Sequence, residues 1–188
     1  KEGAQNTSPK FKGDKGVPLH TVEVSPHHLF LSTSDIPKLK NYANVNPALR
    51  PKAEVEKLWK FLNMVDCIAS DHAPHLPAEK ESGASGFPGV QTMVPLILHA
   101  VVGRKLSIQH AVRLLSSGPA QAFTLHRKGR IAPGYDADLI IFDPQDHWKI
   151  SLSDLHSKAG WSPYEGWNLS LWMRCAGRLT NCEGRLSG

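Results

Sequence analysis

The chain has 188 residues, of which 40% are hydrophobic and 21% are charged, so it can bury a core and wholesale disorder is excluded. No apolar run approaches the roughly 20 residues of a membrane-spanning helix, and three cysteines are too few for a disulfide framework, so we expect a cytoplasmic protein without a secretory signal. The net charge of +5 is spread along the chain, which indicates solvated surface and at most an anionic ligand, with no nucleic acid and no membrane as partners.

The first part of the chain predicts alternating strands and helices. Residues 1–16 are broken by glycine and proline and predict a flexible loop. A strand is predicted at residues 19–24, a short helix at 34–39 and a longer helix at 52–63. A second strand is predicted at residues 65–69. Because strand, helix and strand follow in this order, we expect a parallel βα arrangement.

The second part predicts a loop, a helical stretch and a β-rich tail. A long polar loop is expected at residues 76–89. Helices are predicted at residues 90–102, 107–116 and 120–125, with Gly118 and Pro119 breaking the chain between the last two. From residue 129 onward, short strands separated by turns predict a small β domain; the candidates are residues 139–142, 148–150 and 169–174.

A carboxylate and two imidazoles directly follow the second predicted strand, in the run ASDHAPH at residues 69–75. In an α/β barrel, the carboxyl ends of the strands carry the chemistry. Asp71 is therefore a candidate metal ligand or proton carrier, and His75 a candidate anion binder or proton shuttle. The alternative is that Asp71 only caps a helix or accepts hydrogen bonds within a loop.

Other polar residues are interpreted as structural. His27 and His28 look like a metal pair, but adjacent side chains on a strand point to opposite faces, so we count neither as a ligand. Arg50 is expected to form a salt bridge at a helix entry, and His72 to hold the loop. Cys67 is interpreted as a small core residue.

Five runs occur in an order that indicates a family. They are EVSPHHL (23–29), VNPALR (45–50), ASDHAPH (69–75), GFPGVQT (86–92) and GYDADL (134–139). Together they resemble the motifs of the dihydroorotases, in the cyclic amidohydrolase branch of the metal-dependent amidohydrolases. The run WSPYEG (161–166) resembles a further motif of the family's tail. The resemblance extends from residue 17 to nearly the end of the chain.

The resemblance implies an α/β fold, namely a (β/α)8 TIM-type barrel with a β domain made from both chain ends. A whole barrel takes about 250 residues, so we expect the C-terminal part of a barrel plus a small β domain from the chain tail. The partial barrel is expected at residues 1–128, with 1–16 flexible. The β-domain segment, with a tail that packs on the barrel, is expected at residues 129–188.

The resemblance also implies roles for four residues. Asp71 matches the family's aspartate that ligates the metal and acts as general acid and base. His75 matches the histidine that contacts the substrate carboxylate, Asn46 a residue that binds the substrate, and Gly86 a loop glycine whose backbone approaches the substrate ring. The implied cofactor is zinc, one or two ions, with most ligands expected upstream of this chain.

The implied reaction is the reversible conversion of N-carbamoyl-L-aspartate to dihydroorotate in pyrimidine biosynthesis. The substrate is small and anionic, and a homodimer or a complex with aspartate transcarbamoylase is compatible with the resemblance. Allantoinase or another cyclic amidohydrolase is one alternative, and an inactive scaffold for a transcarbamoylase is another. The VNPALR run favours dihydroorotase over allantoinase, and Asp71 argues against an inactive scaffold. The chain alone is expected to be inactive, because a catalytic zinc takes about three protein ligands.

Overall fold

The computed structural model of the protein describes residues 20–170 and the backbone of residues 172–178. The loop predicted at residues 1–16 lies outside the described residues. Strand β1 (Glu23–Val24) pairs in parallel with strand β2 (Cys67–Ile68), which confirms the predicted parallel arrangement. Both strands are shorter than predicted because only two residues of each pair regularly.

The segment between the two strands is helical, as predicted, but divided into short pieces. The helices are α1 (Pro26–Phe30), α2 (Ile36–Leu39) and α3 (Lys52–Lys60), with single 3-10 turns at Thr33–Asp35, Lys40–Ala43 and Leu62–Met64. Helix α1 was not predicted; it begins directly after β1 because Pro26 suits the first turn of a helix. Helix α3 buries Val55 and Trp59 in the same hydrophobic cluster as Val24 of β1 and Ile68 of β2.

The part after β2 contains four helices in the described residues, one more than predicted. They are α4 (Pro77–Glu81), α5 (Val90–Val102), α6 (Ile108–Val112) and α7 (Gly118–Ala122). The polar segment 76–89 was predicted as a loop throughout, and α4 within it is a correction. Helix α4 begins with Pro77. Glu79 caps its N-terminus, because the Glu79 carboxylate accepts a hydrogen bond from the Leu76 N–H at 2.6 Å.

Gly118 and Pro119 do not interrupt the helical structure, contrary to the prediction. A π-helical turn (Arg113–Ser117) connects α6 to α7 without a loop. Pro119 lies in the first turn of α7, where a missing N–H costs nothing. Gly118 lies so close to β2 that a Cβ atom would be 2.1 Å from the Asp66 carbonyl oxygen. Glycine therefore serves close packing here and does not end a helix.

The tail is β-rich, as predicted. Strand β3 (Asp138–Asp143) pairs antiparallel with β6 (Trp172–Arg178), with an irregularity between Ile141 and Phe142. Strand β4 (Trp148–Lys149) pairs antiparallel with β5 (Asn168–Leu169). The division at residue 129 into two domains stays a prediction.

Two hydrophobic clusters lie beside each other. The first joins β1 and β2 to α3, α5 and α6, and its buried residues include Ile68, Ile97 and Leu114. The second surrounds Phe87 and collects apolar side chains of the tail; its members are Leu31, Val45, Leu49, Phe87, Leu96, Trp148, Ile150, Ala159, Trp161, Tyr164 and Leu169. Phe30 packs against both clusters. The tail segment 148–169 is thus packed on the segments around residues 45, 87 and 96.

Within the described part of the chain, none of the helices is long and apolar enough to cross a membrane.

Candidate active site

Asp71 lies at the carboxyl end of β2, where the sequence predicts it. Its backbone is in the left-handed region, with φ of +47°, a conformation that aspartate tolerates better than most residues. The turn leaves the carboxylate half exposed, with 51% of the side chain accessible. The carboxylate of Asp71 is therefore accessible to a ligand.

His27 lies next to Asp71, which the sequence did not predict. His27 and His28 are on helix α1 and not on a strand, so the argument from alternating strand faces was wrong for this pair. The Nε2 atom of His27 is 3.6 Å from Oδ2 of Asp71, whereas His28 turns away, with its Nε2 2.9 Å from the Pro47 carbonyl oxygen. Pro26 directly after a strand was the signal that a helix begins here.

The His27 imidazole is buried and neutral. Only 2% of the residue is exposed, and its Nε2 has no hydrogen-bond partner among the described residues. Burial, together with the neighbouring His28, lowers the pKa of His27 to about 3. Its ring packs edge-on against Phe87, with the centroids 5.2 Å apart. A buried ring nitrogen without a hydrogen-bond partner among the described residues therefore lies beside the Asp71 carboxylate.

The described residues offer two donor atoms for a metal ion. Asp71 offers a carboxylate and His27 an unpaired imidazole nitrogen, but nowhere in residues 20–170 do three or more histidine, cysteine, aspartate or glutamate side chains form a group suited to a metal ion. A catalytic zinc takes three protein ligands and leaves one position open. The two donors fit one side of such a site, and at least one further ligand would have to come from elsewhere.

Asn46 and Asp71 line the same open cleft, which has a volume of about 650 Å³. The cleft lies between the carboxyl end of β1 and helix α3, and Arg50 and His28 also line it. Arg50 forms the expected ion pair at the entry to α3, with its Nε 3.9 Å from Oε2 of Glu54. Because both side chains are exposed, this pair adds little stability and leaves the guanidinium available to an anion.

His75 is held by its own loop and does not line this cleft. Its Nε2 is 3.1 Å from the Ser85 carbonyl oxygen, and its Nδ1 is 3.7 Å from Oε2 of Glu79. The indole N–H of Trp161 donates to the His75 carbonyl oxygen at 2.8 Å. The structure thus connects His75 to the loop of Gly86 and to the tail, and a contact with substrate stays a prediction.

Gly86 occupies a position that only glycine fits. Its φ is +137°, and a Cβ atom built on it would lie 2.4 Å from the Cβ atom of Ala73. Its N–H donates to the Asn44 carbonyl oxygen at 3.0 Å. The loop after α4 therefore runs against both the segment after β2 and the segment that carries Asn46.

His72 and Cys67 have the structural roles predicted for them. The Nδ1 atom of His72 accepts hydrogen bonds from the N–H groups of Gly89 at 3.0 Å and Val90 at 3.2 Å, which holds the start of α5. Cys67 is a buried free thiol in β2.

Comparisons with known proteins relate the chain to one family. The profile described as the amidohydrolase family matches residues 10–168. The chain is 45% identical over 163 residues to the dihydroorotase of Methanosarcina acetivorans, an alignment that covers 82% of this chain and 35% of that protein. It is 44% identical over 146 residues to the dihydroorotase of Archaeoglobus fulgidus, covering 78% and 36%. The chain thus spans a little over a third of the length of these relatives.

Solved structures of similar fold are hydantoinases. L-hydantoinase (dihydropyrimidinase) from Arthrobacter aurescens matches with a TM-score of 0.77 and 29% identity, over 83% of this chain and 37% of that one. D-hydantoinase (dihydropyrimidinase) from Thermus sp. matches with a TM-score of 0.79 and 27% identity, over 84% and 38%. These neighbours imply a TIM-barrel-type fold, of which the described residues form a part. Since the family profile matches most of its residues, the chain belongs to the amidohydrolase family.

Proposed function

We propose that this chain is the C-terminal part of a dihydroorotase barrel and works in the reversible conversion of N-carbamoyl-L-aspartate to dihydroorotate. The observation that carries the proposal is that Asp71 and Asn46 line one cleft, in a chain 42–45% identical to several dihydroorotases. Hydantoinase activity is the second candidate, because the similar solved structures are hydantoinases at lower identity, 29% and 27%.

Asp71 is proposed to move the proton of the reaction. In the ring-opening direction, its carboxylate takes a proton from the attacking water and delivers it to the ring nitrogen as the C–N bond breaks. The half-exposed position at the end of β2 suits this role, because the carboxylate reaches solvent and cleft alike. The buried neutral ring of His27 lies next to the Asp71 carboxylate and restricts its movement toward the protein interior.

Zinc is the proposed metal, and Asp71 its proposed ligand in this chain. A bound zinc ion would polarise the amide carbonyl of the substrate. We propose that the ligands other than Asp71 and His27 belong to the portion of the enzyme that corresponds to the unmatched two thirds of the relatives. His27 Nε2 is the second donor that the described residues offer at this place.

Recognition of the anionic substrate is proposed to fall to Asn46, His75 and the backbone at Gly86. Asn46 lines the cleft, and Arg50 adds a positive charge to the same wall. The Gly86 loop is tied to the Asn46 segment by the hydrogen bond from the Gly86 N–H to the Asn44 carbonyl oxygen. A homodimer, or a complex with aspartate transcarbamoylase, remains part of this proposal.

The test is an assay of the complete, metal-loaded enzyme on dihydroorotate, allantoin and hydantoin. We expect turnover of dihydroorotate in both directions and at most traces with the other two compounds. Turnover of allantoin or hydantoin with none of dihydroorotate would reassign the substrate. Absence of any turnover in the metal-loaded protein would favour the inactive scaffold.

A further inference from the structure

Lys80 is fully buried, although the sequence places it in a polar segment. Its relative exposure is 0%, and its ammonium donates three hydrogen bonds to backbone carbonyl oxygens. The acceptors are the carbonyl oxygens of Asn44 at 2.6 Å, Ala84 at 2.8 Å and Gly86 at 3.0 Å. All three protons of the ammonium group are therefore used, each on a different carbonyl.

Aromatic rings and backbone carbonyl groups surround the ammonium group of Lys80. The Nζ atom is 5.6 Å from the ring centroids of both Phe87 and Trp161, which is within range of a cation–π attraction. Burial lowers the pKa of Lys80. The carbonyl oxygens and ring faces compensate the charge, so that a buried cation is tolerated.

The three carbonyl acceptors belong to two different backbone segments. Asn44 lies two residues before Asn46, whereas Ala84 and Gly86 belong to the loop after α4. The Asn44 carbonyl oxygen also accepts the Gly86 N–H at 3.0 Å, and the Asn44 side-chain amide donates to the Gly83 carbonyl oxygen at 2.5 Å. Lys80 is thus the centre of the contact between the two segments.

The same loop also holds His75. Ser85 lies between Ala84 and Gly86, whose carbonyl oxygens bind Lys80. The Ser85 carbonyl oxygen is hydrogen-bonded to the Nε2 atom of His75 at 3.1 Å. The carbonyl groups of residues 84, 85 and 86 are therefore fixed in turn by Lys80, His75 and Lys80. None of the contacts that Lys80 and His75 make with this loop reaches Asp71.

We infer that Lys80 is a positioning residue of the substrate site: its ammonium group holds the segment of Asn46 and the loop of Gly86 at a fixed separation. The inference rests on the proposed function only for the role of Asn46 and Gly86 in binding substrate. Replacing Lys80 by methionine keeps the aliphatic stem but leaves three inward-facing carbonyl groups without their donor. The two segments then separate, while Asp71 and β2 stay in place.

The first test is hydrogen exchange on the whole chain carrying Lys80→Met. We expect the amides of residues 42–46 and 83–87 to exchange about tenfold faster or more, with α3 and α5 unchanged. Lys105→Met is the matched control: Lys105 is partly exposed, 3.3 Å from Oε1 of Glu56, and should leave both segments as in the wild type. Unchanged exchange in Lys80→Met, or a uniform rise that includes α5, would overturn the inference.

The second test measures kinetics in the complete enzyme with dihydroorotate. Lys80→Met should raise KM by about tenfold or more and change kcat by less than about threefold, since the proton carrier is not displaced. Lys80→Arg, which keeps charge and donors, should recover part of the loss in KM. Equal falls in kcat and kcat/KM would refute a positioning role. If the wild type does not turn over dihydroorotate, the proposed function fails, and hydrogen exchange alone decides the role of Lys80.

A third measurement covers the case that Lys80→Met does not fold. In the wild-type chain, the 15N-detected signal of the Lys80 ammonium group should show protons that exchange slowly with water, unlike those of Lys105. A rapidly exchanging, solvent-like signal from Lys80 would overturn the inference without any variant.

Discussion

At the scale of single residues, the site contains a pair, Asp71 and His27, of which the sequence predicted only the first. The backbone of Asp71 is left-handed, and its carboxylate lies 3.6 Å from a buried imidazole nitrogen of His27. Asp71 was predicted from its place after a strand. His27 was discounted by a rule that holds for adjacent residues of a strand, whereas it lies on the helix that begins at Pro26, which was not predicted. Lys80 was missed because only tertiary structure brings carbonyl groups to it.

Substitution of Asp71 by asparagine tests the proton carrier at the residue scale. Asparagine has the same shape and tolerates the left-handed backbone, so the fold is kept. It can neither accept the proton nor offer a carboxylate to a metal. We expect turnover by the complete enzyme to fall about a thousandfold, with an unchanged midpoint of urea unfolding.

Glu56→Gln is the control for this change, because it neutralises an exposed carboxylate that contacts only Lys105 among the ion pairs of the described residues. It should keep wild-type turnover. Near-normal turnover in Asp71→Asn would contradict the role proposed for Asp71.

The elements were predicted well where a pattern is local and poorly where packing decides. The boundaries of α5 agree with the apolar run from Val90 to Val102. Helix α4 was missed because it is a single turn in a segment rich in glycine and proline. Gly118 was interpreted as a break, whereas its lack of a side chain lets α7 approach the Asp66 carbonyl group.

Gly118→Ala should lower the free energy of unfolding, whereas helix propensity alone predicts that it rises. In an exposed helix, alanine is favoured over glycine by about 1 kcal/mol. Here a Cβ atom would lie 2.1 Å from the Asp66 carbonyl oxygen and 2.6 Å from that of Arg113, so the backbone has to shift. We expect the free energy of unfolding, from urea titration, to fall by about 2 kcal/mol.

Gly103→Ala is the matched comparison at the end of α5. The same substitution there brings the Cβ atom to 3.4 Å from the His99 carbonyl oxygen, an ordinary contact. The free energy of unfolding should change by less than about 0.5 kcal/mol. If Gly118→Ala stabilised the chain as much as propensity suggests, the close approach of α7 to β2 would be refuted.

The connection between α5 and the tail predicts a dependence of stability on pH. The Nδ1 atom of His99 accepts the N–H of Ser170 at 3.0 Å, and burial lowers the pKa of His99. The unfolded chain takes up a proton at this histidine near pH 6.5, whereas the folded chain resists it. Stability is therefore full above about pH 6.5 and falls as the pH drops toward the lowered pKa.

Urea unfolding between about pH 7.5 and 5 measures this effect, as does the variant His99→Gln, which keeps an acceptor but does not titrate. We expect the decline of stability with falling pH to become shallower in the variant. It should not vanish, since burial also lowers the pKa of His110. An identical slope in both proteins would contradict the assignment to His99.

At the scale of the whole molecule, the described residues match one part of the amidohydrolase fold. The parallel pair β1 and β2, with helices around it, agrees with the expected partial barrel, and the hydantoinase structures match it with TM-scores of 0.77 and 0.79. The chain covers only 35–36% of the M. acetivorans and A. fulgidus relatives. The order of motifs indicated the family, whereas the packing of the tail against the loop of Gly86 required the structure.

Metal content tests the proposal at this scale. The described residues offer two donors, so the isolated 188-residue chain should not retain stoichiometric zinc after dialysis, whereas the complete enzyme should. Elemental analysis of both proteins measures the ratio. One tightly bound zinc per isolated chain would show that this chain holds a full set of ligands.

The hydrogen bond from Trp161 to the backbone of His75 has an optical consequence. The indole N–H of a tail residue ends on a residue proposed to bind substrate. The emission of tryptophan shifts with the polarity and hydrogen bonding of its indole, so this side chain is a built-in fluorescent reporter. Binding of a ligand that moves His75 should therefore change the tryptophan emission of the chain. The same ligand should cause no such change in the variant Trp161→Phe.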